Sequence, residues 1–134
     1  MAKNTLVIGR ELSKDMEFSG RYLLKELLKK QHIKIDAAMW FFFPDQIWKY
    51  LLIVNNFNEL GPSNIYREIS KINNSSISKR YKPIPLESIE AKGESSFVYR
   101  MMKGPGGMRY IDMRISNSMI NGLEITDSFI YEFK

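Results

Sequence analysis

The chain has no cysteine and a single histidine, His32. Without thiols there is no disulfide framework, thiolate nucleophile, redox pair or iron–sulfur cluster, and one imidazole cannot build a His-rich metal site. Long apolar runs are also missing. The strongest, Ala37 to Phe43, is far shorter than the ~20 residues that cross a bilayer. Leu6-Val7-Ile8 is too short, ahead of Arg10 and Glu11, to be the core of a secretory signal. A soluble, cytoplasmic protein with no membrane association, no metal and no cofactor is therefore expected. The 134 residues suffice for one domain, 1–134, whose core needs no covalent staple. A net charge of +5 permits polyanionic partners without specifying one.

Apolar periodicity supplies the elements. From Lys14 to Lys30, Met16, Leu23, Leu24, Leu27 and Leu28 recur at spacings of three and four, opposite Arg21, Lys25 and Lys29. That is an amphipathic helix. Ile33 to Phe43 and Ile47 to Val54 flank Pro44-Asp45-Gln46 and read as a hairpin. Pairing Phe43 with Ile47, Phe42 with Trp48 and Trp40 with Tyr50 puts Trp40, Phe42, Trp48 and Tyr50 on one face and Met39, Phe41, Leu51 and Ile53 on the other. Both faces are apolar, so the hairpin must be central and covered twice, by helices and by either more of this chain or a second subunit.

Gly61-Pro62 opens a second helix with Ile65, Tyr66, Ile69 and Ile72 inward. Leu86 to Lys92 reads as a short strand, and Glu94 to Lys103 as a third helix that buries Phe97, Val98, Met101 and Met102, is capped by Ser95 or Ser96 and is stopped at Gly104. In Met108 to Met119 and Leu123 to Phe133, strict alternation predicts core rows Ile111, Met113, Ile115, Met119 and Leu123, Ile125, Phe129, Tyr131, Phe133. A two-residue Asn121-Gly122 turn would set Met119 opposite Glu124 and mix the rows; a three-residue loop, Ile120 to Gly122, or a bulge keeps them together and is preferred. The expected fold is α+β, a mainly antiparallel sheet of about five strands with three helices, in the order α-β-β-α-β-α-β-β.

The run Ile120-Asn121-Gly122-Leu123-Glu124-Ile125-Thr126-Asp127-Ser128-Phe129-Ile130-Tyr131 resembles the C-terminal strand pair of a family of small, uncharacterised bacterial α+β proteins. Gly61-Pro62 after the first hairpin and Gly104-Pro105-Gly106 after the third helix are similar to that family as well. The resemblance implies the same element order. It brings no activity and no site residues.

Several places could carry chemistry, and each has a plainer alternative. Gly104, Gly106 and Gly107, flanked by Arg100, Lys103 and Arg109, could cradle a phosphate or nucleic acid. The loop follows a helix rather than preceding one, so a helix C-cap and turn is the plainer reading. Lys79-Arg80-Tyr81-Lys82 interleaves an aromatic with cations, as a nucleic-acid-tracking segment would, or is a solvated linker. Pro44-Asp45 with Glu90-Ala91-Lys92 matches the carboxylate-and-lysine pattern of a Mg²⁺-dependent nuclease, Asp45 and Glu90 holding the ion and Lys92 orienting water. Asp127 either sits on a bulge that turns it outward or is buried holding a loop or a cation such as Arg67. His32, just past the first helix, fits the negative end of the helix dipole. No catalytic constellation stands out. The expectation is a non-enzymatic binding or accessory protein, a homo-oligomer through one apolar hairpin face, with nucleic acid, a phosphate ligand or another protein as further partner; the alternative is a phosphoryl-transfer enzyme.

Overall fold

A computed structural model of the chain describes residues 5–75 and 81–134. The elements run α1 (Lys14–Leu28), β1 (Ile35–Phe43), β2 (Ile47–Val54), α2 (Phe57–Leu60), α3 (Pro62–Ser75), a 3₁₀ turn (Leu86–Ser88), β3 (Ile89–Lys92), α4 (Phe97–Lys103), β4 (Tyr110–Ile120) and β5 (Leu123–Phe133). One five-stranded sheet has the order β3-β2-β1-β5-β4. The class is α+β, but the sheet is mixed and four helices are described, not three. The β2–β3 pair is parallel, because the helices between them carry the chain back to the start of the sheet, as a parallel crossover requires. The extra helix, α2, is a single turn just before Gly61.

The β1–β2 hairpin has the register its sequence predicts, Phe43 with Ile47, Phe42 with Trp48 and Trp40 with Tyr50. Its two faces open onto two separate cores. On face one, Trp40, Trp48 and Tyr50 pack with Leu23, Leu24 and Leu27 of α1 and Ile65, Ile69 and Ile72 of α3. On face two, Met39, Phe41, Leu51 and Ile53 pack with Val98, Tyr99 and Met102 of α4 and with Ile115, Ile125 and Ile130 of β4 and β5. Trp40, Tyr50 and Met39 are wholly inaccessible. Helices α1 and α3 cover face one, and α4 with β4 and β5 covers part of face two.

Face one is joined by polar contacts as well as apolar ones. Trp40 Nε1 donates to the Met16 carbonyl (2.9 Å), Tyr50 Oη to that of Gly20 (2.7 Å) and Tyr131 Oη to that of Glu17 (2.7 Å). Three neighbouring strands thus hydrogen-bond one helical turn. Burial pushes the Tyr50 and Tyr131 phenols upward, so they remain protonated donors. The close approach depends on Gly20, where a Cβ would overlap the Tyr131 hydroxyl and lie 2.8 Å from Trp40 Nε1.

The β4–β5 hairpin departs most from expectation. Ile120 pairs with Leu123 across Asn121-Gly122, both at positive φ (51° and 86°), and Met119 pairs with Glu124. The two-residue turn that the core rows argued against is the one that forms. Met119 is 66% exposed and needs no core partner, while Ile111 and Met113 are also exposed and Tyr110 is buried instead. Strict alternation fails because the strands are irregular. Asp112 (φ 45°) and Asn117 (φ 49°) are left-handed, and β5 has an extra residue opposite the Ala38/Met39 step of β1. Ile125, Ile130 and Phe133 therefore share face two despite spacings that no regular strand allows. In α4, Ser96 caps as expected, but Tyr99 turns inward and Phe97 outward, 59% exposed.

Gly20→Ala is expected to cost about 1–3 kcal/mol, as overpacking does, and combining it with Tyr131→Phe should recover part of that loss by removing the overlapped hydroxyl. Urea denaturation of the single and double variants measures both; equal stability of Gly20→Ala and the parent would show that α1 does not sit this close.

Candidate functional site

The covering of face two is incomplete. A seven-residue helix is only ~10 Å long, whereas β2, with eight residues, runs ~26 Å. Helix α4 reaches the β5 side of the sheet, and the tip of the β4–β5 hairpin folds onto it, Asn121 Nδ2 donating to the Met101 carbonyl at 2.9 Å. The β2–β3 flank is left open. Glu90 and Lys92 pair with Leu51 and Ile53, so their side chains belong to face two. A groove of about 820 Å³ lies there, between the segment 55–59 and the segment 93–98. Its apolar lining includes Phe43, Leu51, Phe57 and Phe97, and its carboxylates are Glu59, Glu90 and Glu94. A recess of about 380 Å³ adjoins it, sharing Phe43 and Glu90 and adding Asp45 and Lys49.

At the groove's rim Asn55 Nδ2 donates to both Glu94 Oε2 (2.9 Å) and Asp36 Oδ2 (3.3 Å). The Glu94 carboxyl is held above its ordinary range by a hydrogen bond with Asp36, by burial and by the Asp36 charge, against the opposing pull of Asn55 and Lys103. Among the described residues no cation comes within ion-pair distance of Asp45, Glu59, Glu90 or Glu94, whereas Asp15, Glu26, Glu68, Asp112, Asp127 and Glu132 each have one. Lys49, also on the recess, is held by the Glu87 carbonyl at 2.5 Å.

Asp45 and Glu90, far apart in sequence, both line the recess, and Lys92 shares the face of Glu90 on β3. Among the described residues no group of three or more His, Asp and Glu side chains is placed to hold a metal ion. The glycine-rich segment forms a cap and turn. Gly104 ends α4 at φ 60°, its N–H donates to the Arg100 carbonyl, and the N–H groups of Gly107 and Met108 return to Gly104 and Lys103. Those amides are occupied by the chain itself. Lys103 Nζ donates to the Lys134 carbonyl at 3.0 Å and to the Tyr99 hydroxyl at 3.3 Å. Arg100, Gly106 and Arg109 are exposed.

Of the basic segment, Lys79 and Arg80 lie outside the described residues. Tyr81 stacks on Tyr22 (centroids 4.4 Å apart), and Lys82 pairs with Asp15 at 3.3 Å. One face of the Tyr81 ring is therefore taken by α1. Asp127 pairs with Arg114 through two bonds (2.7 and 2.6 Å) and accepts from Ser116 at 2.7 Å. Its partner is the cross-strand Arg114, while Arg67 bonds Asn64. The His32 carbonyl accepts from Asn56. Sequence reasoning missed Glu59, Glu94 and Phe97 as site residues. The available signal was an imbalance: two apolar hairpin faces, with one short helix left to cover the second.

Comparison with family models, with curated proteins and with solved structures finds no match.

Two substitutions separate a structural turn from an anion-binding loop. A Cβ at Gly104 would overlap the Asn121 side-chain amide in a left-handed backbone, so Gly104→Ala is expected to cost about 1–2 kcal/mol or more. Gly106, in open space, should tolerate Ala within about 0.5 kcal/mol. Thermal or urea unfolding checks both, and equal costs at the two positions would refute this account. The second prediction concerns acid stability. Burial alone would raise the Asp127 carboxyl, but hydrogen bonds from Arg114 and Ser116 and the Arg114 charge outweigh it and lower it. Its contribution is complete above the ordinary carboxylate range and is lost as pH falls through the depressed value. Asp127→Asn should therefore flatten the acid limb of the stability–pH curve, read from urea midpoints across acid pH. An unchanged limb would mean that the pair adds nothing.

Proposed function

We propose that the chain is a non-enzymatic binding protein and that its partner docks in the open groove on face two. The observation that carries this reading is the groove itself: it lies beside β2 and β3, is walled by Phe43, Phe57 and Phe97, and is edged by carboxylates that have no ion-pair partner among the described residues. Sites of this kind join an apolar body to a few oriented polar groups, the combination that fixes both affinity and pose. A phosphoryl-transfer reading rests on one observation, that Asp45 and Glu90 share a recess. Two carboxylates on one small recess also suit a purely electrostatic role.

The test uses labelled single- and double-stranded DNA and RNA at roughly 50 and 200 mM salt, with and without Mg²⁺, read by anisotropy and by product length. No cleavage is expected under any condition. Mg²⁺-dependent cleavage lost in Asp45→Asn and in Glu90→Gln would replace the binding reading with the enzymatic one. Strongly salt-dependent association lost in Arg100→Ala and Arg109→Ala would move the recognition surface from the groove to the end of α4.

A further inference from the structure

We infer that the groove on face two receives an extended segment of another protein that bears lysine or arginine beside an apolar side chain. This rests on the binding reading and adds the chemistry of the partner.

The chain carries five more positive than negative charges, yet the groove and its recess bring together Asp45, Glu59, Glu90 and Glu94 against Lys49 and Lys92. Lys49 is engaged by the Glu87 carbonyl. Among the described residues these four carboxylates have no ion-pair partner within the chain, and Glu11, Glu17, Asp36, Glu87 and Glu124 have none either; what marks the groove is that its unpaired carboxylates are gathered around one aromatic-lined surface. Their placement leaves ion-pair positions for groups supplied from outside, and complementary potential is what sets partner choice and encounter rate.

Phe97, the first residue of α4, is 59% exposed at the groove wall. Phe43 and Phe57 line the same groove, so an incoming apolar side chain meets aromatic surface. The outward backbone groups of β3 are already engaged, Ala91 N–H by the Tyr66 hydroxyl (2.9 Å) and the Ile89 carbonyl by the same hydroxyl (3.3 Å). A visiting segment therefore cannot lengthen the sheet by strand addition at this point and must pack on its face, where side-chain chemistry decides affinity.

Glu94 supports the same assignment. It faces Asp36 of β1 and Asn55 beyond β2, with Lys103 and Tyr99 of α4 on the other side. The hydrogen bond with Asp36 and the proximity of two acids make the fully ionised pair unfavourable. An incoming ammonium or guanidinium group offsets the Asp36 charge beside Glu94.

The experiment is anisotropy of labelled peptides of about eight residues, long enough to follow the groove, with amide hydrogen exchange to locate the bound peptide. Three probes are used on the full chain: one with alternating arginine and leucine, one with glutamine in place of arginine, and one with glutamate. The arginine peptide alone is expected to bind, more weakly at higher salt, and to protect amides in 90–97. Glu90→Gln and Glu94→Gln should each weaken it by up to about fivefold, the upper range for an exposed ion pair. Lys92→Gln, which removes an opposing charge from an exposed position, should tighten it and guards against a variant that merely unfolds. Affinity should fall as pH drops through the titration of Glu94.

If the glutamine or glutamate peptide protects the groove as well as the arginine peptide does, the cationic partner is wrong and the groove remains a binding site. If no peptide protects it, the groove is not a docking surface, and this inference falls together with the reading it rests on.

Discussion

The contact between α1 and the aromatic floor of the sheet is the constraint on which the rest of the structure depends. Trp40, Tyr50 and Tyr131 are buried, and each carries a donor that must be satisfied in a dry interior. Their acceptors are the Met16, Gly20 and Glu17 carbonyls. Those carbonyls come within reach only because position 20 has no side chain. Once α1 is seated, α3 fills the space beside it, and Leu27, Ile65, Ile69 and Ile72 complete the first core. Both long helices are then on the same face. Only α4 and the β4–β5 hairpin remain to close the other.

That division explains the irregular C-terminal hairpin. The observed pair places Asn121 on the Met101 carbonyl and Ile115, Ile125 and Ile120 against the second core. The left-handed residues Asp112 and Asn117 and the extra residue in β5 are the breaks that change the direction of the side chains. Left-handed backbone at non-glycine residues carries a cost of about 1 kcal/mol or more, which burial of the second core offsets. The same breaks interrupt the outer edge of β4, while Tyr66 occupies the outer edge of β3. Both edges of the sheet are therefore poor templates for another strand.

The parts of the fold legible in the sequence are those governed by local pattern. The β1–β2 register followed from one proline-led turn and two apolar faces, and α1 and α3 from spacings of three and four. What was not legible depended on contacts distant in sequence. Nothing in Ile89 to Lys92 tells whether it pairs parallel or antiparallel; the helices preceding it do. Counting by twos through Asp112 and Asn117 assumed an unbroken pleat, and so Met119 was assigned to a core it never enters and the plain Asn121-Gly122 turn was set aside. For the site, Asp45 and Glu90 were picked out through a catalytic pattern, and both line one recess. Glu59 and Glu94 carried no signal, because only the crossover and the start of α4 bring them to the groove.

The net charge of +5 says little about any one surface. A surplus of cations suggests an anionic partner only where the cations are free to act, and several are committed within the fold: Arg114 to Asp127, Arg21 to Asp112, Lys82 to Asp15, Lys103 to the Lys134 carbonyl. Each of the three ion pairs neutralises its own neighbourhood, and beyond a Debye length of about 8 Å little of its field persists at physiological salt. What an approaching molecule meets at the groove is set by the groups within that distance, and these are predominantly carboxylates over aromatic surface. A basic protein can therefore carry an acidic surface, and the sign of the local potential follows the arrangement of nearby charges, not the sum over the chain.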